Sequence, residues 1–405
     1  MTRTVLQNVR PWGADATDVV LADGVIAELR PAGGAAEPGA RRVDGRGRIL
    51  LPSFSDVHVH LDSTRIGLPF RPHTGSPGVW DMMLNDRRNW RSAEASMAER
   101  TTTTLGRMIA HGTTSVRTYA QVDVDCGLER LDAVLAAKEA HADRADVTVM
   151  AFPQAGLLRE DGAPEMLARA MEHGADVVGG IDPCALDRDP VRHLDIVFGL
   201  AERFDAPIDI HLHEPDQLAK FSAELVVERV KALDLRGRVT ISHGYGLGGL
   251  PERELRALLE DFREHDIAMA TVAPPTPLPT LLLAEHGIRL GLGEDGQRDY
   301  WTPYGNADML DRTWQMAFTN GFRRDADIEH CVAVATMGGR SVIGTAPRLR
   351  SVDDRPGLAV GAPADLVLVE GDTVTAAVMD RSPDRTVLRG GVVVAEGLAL
   401  TGAGA

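Results

Sequence analysis

The sequence predicts an α/β protein: a (β/α)8 barrel of the TIM type with a small β-sandwich domain built from both termini. Strand and helix patterns alternate through the middle of the chain, and eight strand patterns can be counted there. Both ends are rich in short strands and turns. We therefore expect residues 1–52 and 346–405 to form the small domain, and residues 53–345 to form the barrel.

The two ends of the chain carry similar signals. Residues 18–29 place Asp23-Gly24 between two runs rich in β-branched residues, which is typical of a hairpin. Residues 31–47 are rich in Gly, Pro and Ala, and we expect a loop there. Residues 361–369 indicate a strand after a turn, and residues 387–395 a second hairpin. One domain formed from both ends is the economical interpretation.

The middle of the chain supplies the barrel. Helical patterns cover residues 96–111, 127–141, 163–173, 192–204, 223–233 and 251–265. Short apolar strands are expected at residues 56–60, 115–118, 147–152, 176–179, 208–211, 239–243, 267–270 and 288–292. Eight units suit a closed barrel of roughly 250 residues or more. An open, doubly wound sheet is the alternative, but His58-Val59-His60 stands where its glycine-rich phosphate turn would follow the first strand.

Composition argues against several classes of partner. The chain has 405 residues, a formal net charge of −16 and three lysines, with no basic run. We therefore expect no nucleic-acid partner and no binding to anionic membranes.

Three widely spaced cysteines favour a reducing, cytoplasmic location over a disulfide scaffold. The sequence leaves the subunit number open, including a homo-oligomer.

Histidine and aspartate recur where barrel strands are expected to end. His58 and His60 lie two apart on the first strand, so their side chains point to the same side. His211 ends the fifth strand, His243 ends the sixth, and Asp295 follows the eighth. Active sites of such barrels form at the C-terminal ends of the strands. The pair alone is weak evidence, but the whole set predicts one shared site.

This residue set predicts a metal-dependent hydrolase. Histidine nitrogens with one carboxylate suit one divalent metal ion, Zn²⁺ or Fe²⁺, with an open position for water. Such an ion lowers the pKa of water toward about 7 and supplies hydroxide at neutral pH. Glu214, three residues after His211, is the best candidate for a general acid/base. His213 stays unassigned because its direction depends on whether the strand continues.

The motifs resemble those of the amidohydrolase superfamily, and more narrowly those of its cytosine deaminase branch. The matching segments are His58-Val59-His60, His211-x-x-Glu214, Ser242-His243, Asp295, Asp299-x-Trp301-x-Pro303 and, in the small domain, Gly361-x-x-Ala364-Asp365-Leu366. They are spread over nearly the whole chain. The resemblance implies a hydrolytic deaminase of a small nitrogen heterocycle, cytosine or a related pyrimidine-like ring. In such an enzyme, metal-bound hydroxide attacks the amino-bearing carbon and ammonia leaves.

The resemblance also implies a role for each matching residue. The metal ion would be held by His58, His60, His211 and Asp295. His243 would orient the bound water, and Asp295 would take its proton. Glu214 would protonate the ring nitrogen beside the attacked carbon. Gln154 would hydrogen-bond the amide-like edge of the substrate, and Trp301 would form a wall of the pocket.

The chain departs from the cytosine-specific pattern near the substrate. Those enzymes have His-Asp-Asp after the eighth strand, whereas this chain has Glu294-Asp295-Gly296 and lacks the second aspartate. The alternative function is therefore cleavage of another C–N bond, in an N-alkyl triazine-type amine or a cyclic amide. A catalytically inactive binding paralogue is disfavoured because Glu214 and all metal ligands are present. No lysine lies near residues 176–180, which argues against a binuclear centre bridged by a carbamylated lysine.

Overall fold

The structure is a computed structural model that describes residues 3–34, 39–344 and 346–402. Its strands are β1 (Thr4–Pro11), β2 (Thr17–Ala22), β3 (Val25–Pro31), β4 (Arg41–Asp44), β5 (Ile49–Pro52), β6 (Phe54–Val59), β7 (Thr113–Gln121), β8 (Asp146–Phe152), β9 (Val177–Ile181), β10 (Ile208–Leu212), β11 (Val239–His243), β12 (Ala268–Thr271), β13 (Leu290–Leu292), β14 (Leu366–Val369), β15 (Arg385–Arg389), β16 (Val392–Glu396) and β17 (Ala399–Leu400).

The α-helices are α1 (Val79–Asn89), α2 (Met97–Ala110), α3 (Glu129–Ala140), α4 (Ala163–Glu172), α5 (Pro190–Phe204), α6 (Asp216–Ala232), α7 (Tyr245–Gly248), α8 (Glu252–His265), α9 (Thr280–Glu285), α10 (Met309–Thr319), α11 (Asp325–Ala333), α12 (Gly339–Ile343) and α13 (Val374–Asp380). A 3-10 turn at Trp90–Ser92 follows α1, and a π-helical turn at Val334–Gly338 lies between α11 and α12.

Strands β6 to β13 form the barrel, as predicted. They pair in chain order, each parallel to the next. The ends of the sheet meet just after β13, where the Asp295 amide donates to the His58 carbonyl at 2.7 Å and Val59 pairs with Asp295. Gly293 permits this approach, because a Cβ there would lie 2.5 Å from the His58 Cβ. The open, doubly wound alternative is therefore wrong.

The terminal strands form a second, mixed sheet, in agreement with the predicted β domain. The start of β1 pairs with β2 and β4, whereas its end pairs with β5. Strand β5 in turn pairs with β14 from the far end of the chain. Buried Leu21 and Ile26 from the first part share one cluster with Leu50, Leu366 and Leu388 from the second. The two parts of the sheet therefore pack against each other over an apolar core.

The predicted loop at residues 31–47 contains β4, which forms because its backbone pairs with β1, a long-range contact that local composition does not encode. The boundaries 1–52, 53–345 and 346–405 stay predictions. Residues 1, 2, 35–38, 345 and 403–405 lie outside the described residues.

The small sheet also holds the segment that follows β13. Arg385 on β15 donates to both carboxylate oxygens of Asp308, at 2.7 and 2.9 Å, and both residues are buried. Asp308 in turn caps α10 by accepting from the Leu310 amide. The chain between Asp295 and α10 is therefore fixed at its far end by the terminal domain.

In the part of the chain that the structure describes, no helix is long and apolar enough to cross a membrane. The thiols of Cys126, Cys184 and Cys331 are free.

Candidate metal centre and substrate cavity

The predicted ligands meet at the mouth of the barrel. The Asp295 Oδ1 atom lies 3.6 Å from His58 Nε2 and 3.5 Å from His60 Nε2. The Nε2 atoms of His60 and His211 are 3.5 Å apart. Ligand atoms of His58, His211 and His243 also lie within 4.8 Å of one another. Two ligands placed tetrahedrally about 2.1 Å from one zinc ion would be about 3.4 Å apart, so these separations suit a single shared ion.

Backbone conformation turns two of these residues toward the mouth. His243 has φ 67° and Asp295 has φ 61°, the left-handed region that most non-glycine residues avoid. Each residue stands at or just after the end of its strand, where the chain leaves the sheet. Strained backbone of this kind is concentrated at functional sites, where surrounding contacts maintain it.

Two imidazole nitrogens of the cluster fit a metal site better than they fit an empty core. His58 Nε2 and His243 Nε2 are buried and lack a hydrogen-bond partner among the described residues. A buried polar atom without a partner costs about 1–3 kcal/mol. A bound cation would satisfy the lone pair of His58 Nε2, and its water could satisfy His243 Nε2, so the donor set fits one divalent metal.

Burial also keeps the imidazoles in the form that binds a metal. It lowers the pKa of His60 to about 4, and it lowers the pKa of both His211 and His243 well below the usual value. All three are neutral at pH 7, as a ligand must be. Burial raises the pKa of Asp295, but the surrounding imidazoles outweigh it and hold that pKa well below its usual value.

A buried network orients His58 from behind. The Tyr119 hydroxyl lies 2.9 Å from His58 Nδ1 and 3.0 Å from Asp209 Oδ2. Asp209 also accepts from Ser242 at 2.6 Å and pairs with Arg117 at 3.1 Å. Because the hydroxyl proton goes to the Asp209 carboxylate, His58 Nδ1–H is the donor to Tyr119. The lone pair of His58 Nε2 is then left for the metal.

A cavity of about 200 Å³ opens beside these ligands. Its polar wall residues include Asp62, Ser63, Gln121, Arg130, Gln154, His213, Tyr245 and Asp299. Its apolar surface comes from Val79, Met82 and Trp301. The predicted substrate residues Gln154 and Trp301 therefore both reach the cavity.

The Glu214 side chain does not line this cavity. One of its carboxylate oxygens accepts from the amides of Cys184 and Ala185, both at 2.7 Å, and the other accepts from the Ser222 hydroxyl at 2.5 Å. Burial raises the pKa of Glu214. The carboxylate is thus directed toward the chain after β9, and Glu214 is not among the residues that line the cavity.

His213, which the sequence left unassigned, lines the cavity instead. Its Nδ1 lies 2.8 Å from Asp182 Oδ2, and its amide donates to the other Asp182 oxygen at 2.6 Å. Burial lowers the pKa of His213, but the Asp182 carboxylate outweighs that effect and raises it. This pair places a second titratable imidazole in the wall beside His211.

Other site residues that the sequence analysis missed had a signal in the strand period. Asp209, His211 and His213 are two apart, like His58 and His60, so they share one side of their strand. Extending the period-two rule in both directions would have found them. Asp299 stands in the motif Asp299-x-Trp301-x-Pro303 but received no role there, and Arg130 had no signal because a helix brings it to the cavity.

Comparison with known proteins identifies the family to which the chain belongs. Residues 77–395 match the model of the amidohydrolase family. The chain is 37% identical to N-isopropylammelide isopropylaminohydrolase from Burkholderia multivorans, with a TM-score of 0.92 over 99% of this chain and 100% of that one. It is 28% identical over 362 residues to N-isopropylammelide isopropyl amidohydrolase from Pseudomonas sp. strain ADP, which covers 87% of each chain. The 5-methylcytosine deaminase of Klebsiella pneumoniae is 25% identical, with a TM-score of 0.79 over 97% of both chains.

The family match covers well over half of the chain, and its relatives include members of the branch that the motifs resemble. The chain therefore belongs to the amidohydrolase family and is a hydrolase that acts on C–N bonds other than peptide bonds.

Proposed function

We propose that the protein removes an exocyclic amine by hydrolysis from a ring carbon of a small nitrogen heterocycle, and that this amine carries an alkyl group. One observation carries the proposal: the metal ligands face a cavity of about 200 Å³ in which hydrogen-bonding side chains adjoin Val79, Met82 and Trp301. A cavity of ~150 Å³ can hold one benzene ring. This cavity therefore suits one six-membered ring with a small alkyl substituent.

The relatives support this choice of substrate class. Two of them carry names that specify N-isopropylammelide, whose amine is alkylated. Gly296 also lacks the carboxylate that the cytosine-specific pattern places after the metal-binding aspartate. Both points favour an N-alkylated amine on a triazine-type ring over ammonia from cytosine.

The residues of the site divide the work. One divalent ion, zinc or iron, would be held by His58, His60, His211 and Asp295, and when bound it would activate a water molecule for attack. His243 faces the same point with its Nδ1 2.5 Å from the Tyr245 hydroxyl, so its other nitrogen can orient the water. We assign Asp295 Oδ2 to accept the proton from that water. Gln154 would bind the amide-like edge of the ring, and Trp301 would cover its face.

Release of ammonia from a cytosine-like ring is the second candidate. It is favoured by Gln154 in the cavity wall and by the similarity to 5-methylcytosine deaminase. The two candidates share one reaction, attack at the amine-bearing ring carbon, and differ in the leaving group.

A substrate panel separates the candidates. Protein loaded with zinc or with iron is incubated with N-isopropylammelide, cytosine, 5-methylcytosine and pterin, and both ammonia and alkylamine are quantified. We expect isopropylamine as the main product. Ammonia from the unsubstituted rings, with no alkylamine, would favour the second candidate. Ring opening without any amine release would contradict both.

Proton delivery to the substrate is assigned to Glu214 on the resemblance, supported by its raised pKa. We predict that Glu214→Gln keeps the metal and loses at least about 100-fold in kcat, because general acid–base catalysis contributes about 10²–10⁴-fold. Metal content by elemental analysis and steady-state kinetics measure the two effects.

His213→Asn is the matched variant, because His213 already lies in the cavity wall. If Glu214→Gln works at a near-normal rate while His213→Asn loses turnover and keeps its metal, the proton donor is His213 with Asp182 and the assignment to Glu214 is wrong.

A further inference from the structure

We propose that Asp299 is a substrate-binding residue whose carboxyl group, in the cavity wall beside Gly296, binds an N–H group on the ring edge of the heterocycle. The inference rests on the proposed function and deepens it. It assigns a substrate with a ring N–H beside a carbonyl, as in an oxo-triazine or an oxo-pyrimidine.

The Asp299 carboxyl group lies directly beside Gly296. A Cβ on Gly296 would lie 2.6 Å from Asp299 Oδ2 and 2.8 Å from Thr302 Cγ2. Both distances are too short for real atoms, so a side chain at position 296 would displace the Asp299 carboxyl from its present position. Gly296, which directly follows the metal ligand Asp295, lines the cavity, and Asp299 lines it too. The absence of a side chain at position 296 therefore leaves the Asp299 carboxyl in the cavity wall close to the metal site.

Three hydrogen bonds hold the Asp299 carboxyl group in place. Asp299 Oδ1 accepts from the amides of Trp301 and Thr302, at 2.8 and 2.9 Å. Oδ2 accepts from the Ser63 hydroxyl at 2.8 Å. Each carboxylate oxygen has about two acceptor positions, so Oδ2 keeps one for a ligand. A buried group fixed in this way binds a ligand without first losing side-chain freedom.

The protonation of Asp299 supports the same role. Burial raises its pKa to about 7. Near neutral pH the carboxyl group can accept a hydrogen bond from a ring N–H or, when protonated, donate one to a ring nitrogen or carbonyl. A carboxyl group that only capped a surface loop would not need to be buried, as that of Asp299 is.

Asp299→Asn tests the proposal. Asparagine keeps the oxygen that accepts from the two loop amides but replaces Oδ2 with a donor, so the loop is preserved and the acceptor is lost. The affinity of zinc-loaded protein for cyanuric acid, the trioxo ring that hydrolysis of N-isopropylammelide would leave, is measured by calorimetry. We expect binding weakened about tenfold or more, with unchanged metal content. Equal affinity in wild type and variant would overturn the proposal.

Asp354→Asn is the matched control. Asp354 also accepts from two backbone amides, those of Arg350 and Ser351, and from the Ser351 hydroxyl at 3.2 Å, but it is only partly buried and lies outside the cavity. We expect unchanged affinity in this variant.

Gly296→Ala is the second test and leaves Asp299 intact. Its methyl group displaces the Asp299 carboxyl, so we expect the same loss of affinity. Unchanged affinity in Gly296→Ala would count against the proposal even if Asp299→Asn failed to fold.

Binding that depends on Asp299 in a protein that releases no amine would leave this inference standing and refute the proposed function. Wild-type protein that binds neither cyanuric acid nor uracil would refute both.

Discussion

The two sides of the cavity are built differently. On the metal side, His58, His211 and His243 lie on barrel strands, and His58 is held from behind by a buried network. On the substrate side, Asp299 and Trp301 lie on the irregular segment between β13 and α10. Strand ends are fixed by the hydrogen bonds of the whole barrel, whereas a loop is fixed by a few local contacts. Under the proposed function, the barrel supplies the chemistry and the loops select the ring.

The largest effect should come from removing a metal ligand. We predict that His211→Ala loses the metal and at least about 1000-fold in kcat/KM, because the lone pair it supplies cannot be replaced from within the barrel. Elemental analysis and kinetics measure this. The substrate-side control is Gln154→Leu, which should keep a full metal complement and raise KM. Loss of metal in Gln154→Leu would contradict the claim that metal binding and substrate binding use separate sets of residues.

A smaller effect should come from the network behind the ligands. Tyr119→Phe removes the hydroxyl that joins His58 to Asp209 and leaves the ring in place. Partners of this kind contribute about 10–100-fold to metal affinity. We therefore expect zinc affinity, measured by competition with a chelator, to fall within that range. An unchanged affinity would mean that barrel packing alone orients His58.

A further effect concerns a buried histidine outside the site and acts on stability instead of on metal binding. Burial lowers the pKa of His330 on α11 to about 4, as it does for His60. The unfolded chain binds a proton at this position below pH ~6.5, whereas the folded chain does so only near pH 4, so this contribution to stability is lost as the pH falls through that window.

For His330→Leu, we predict that the fall in the free energy of unfolding between pH 7 and pH 4.5 is smaller than in wild type by about 2.5 kcal/mol. Urea unfolding at the two pH values measures it, with metal content unchanged. An identical pH dependence in both proteins would show that His330 does not titrate on unfolding. His330 and His60 thus have similarly low pKa values, but among the described residues only His60 of the two lies among other potential metal ligands.

The difference between residues on barrel strands and residues placed by long-range contacts also explains what could be predicted from the sequence. The barrel strands and five residues of the metal side followed from strand period and unit spacing, which depend on local sequence. Strand β4 and the orientation of Glu214 depend on long-range contacts. The Glu214 carboxylate, for example, is held by two amides of the chain after β9. No local pattern in the sequence encodes such contacts.

The most direct test of the account is to identify the amine released from N-isopropylammelide by zinc-loaded protein in ¹⁸O-labelled water. Mass spectrometry then follows both products. We predict isopropylamine together with one ¹⁸O atom in the ring product for each amine released. No release of isopropylamine, or amine release without ¹⁸O in the ring product, would contradict the proposed function.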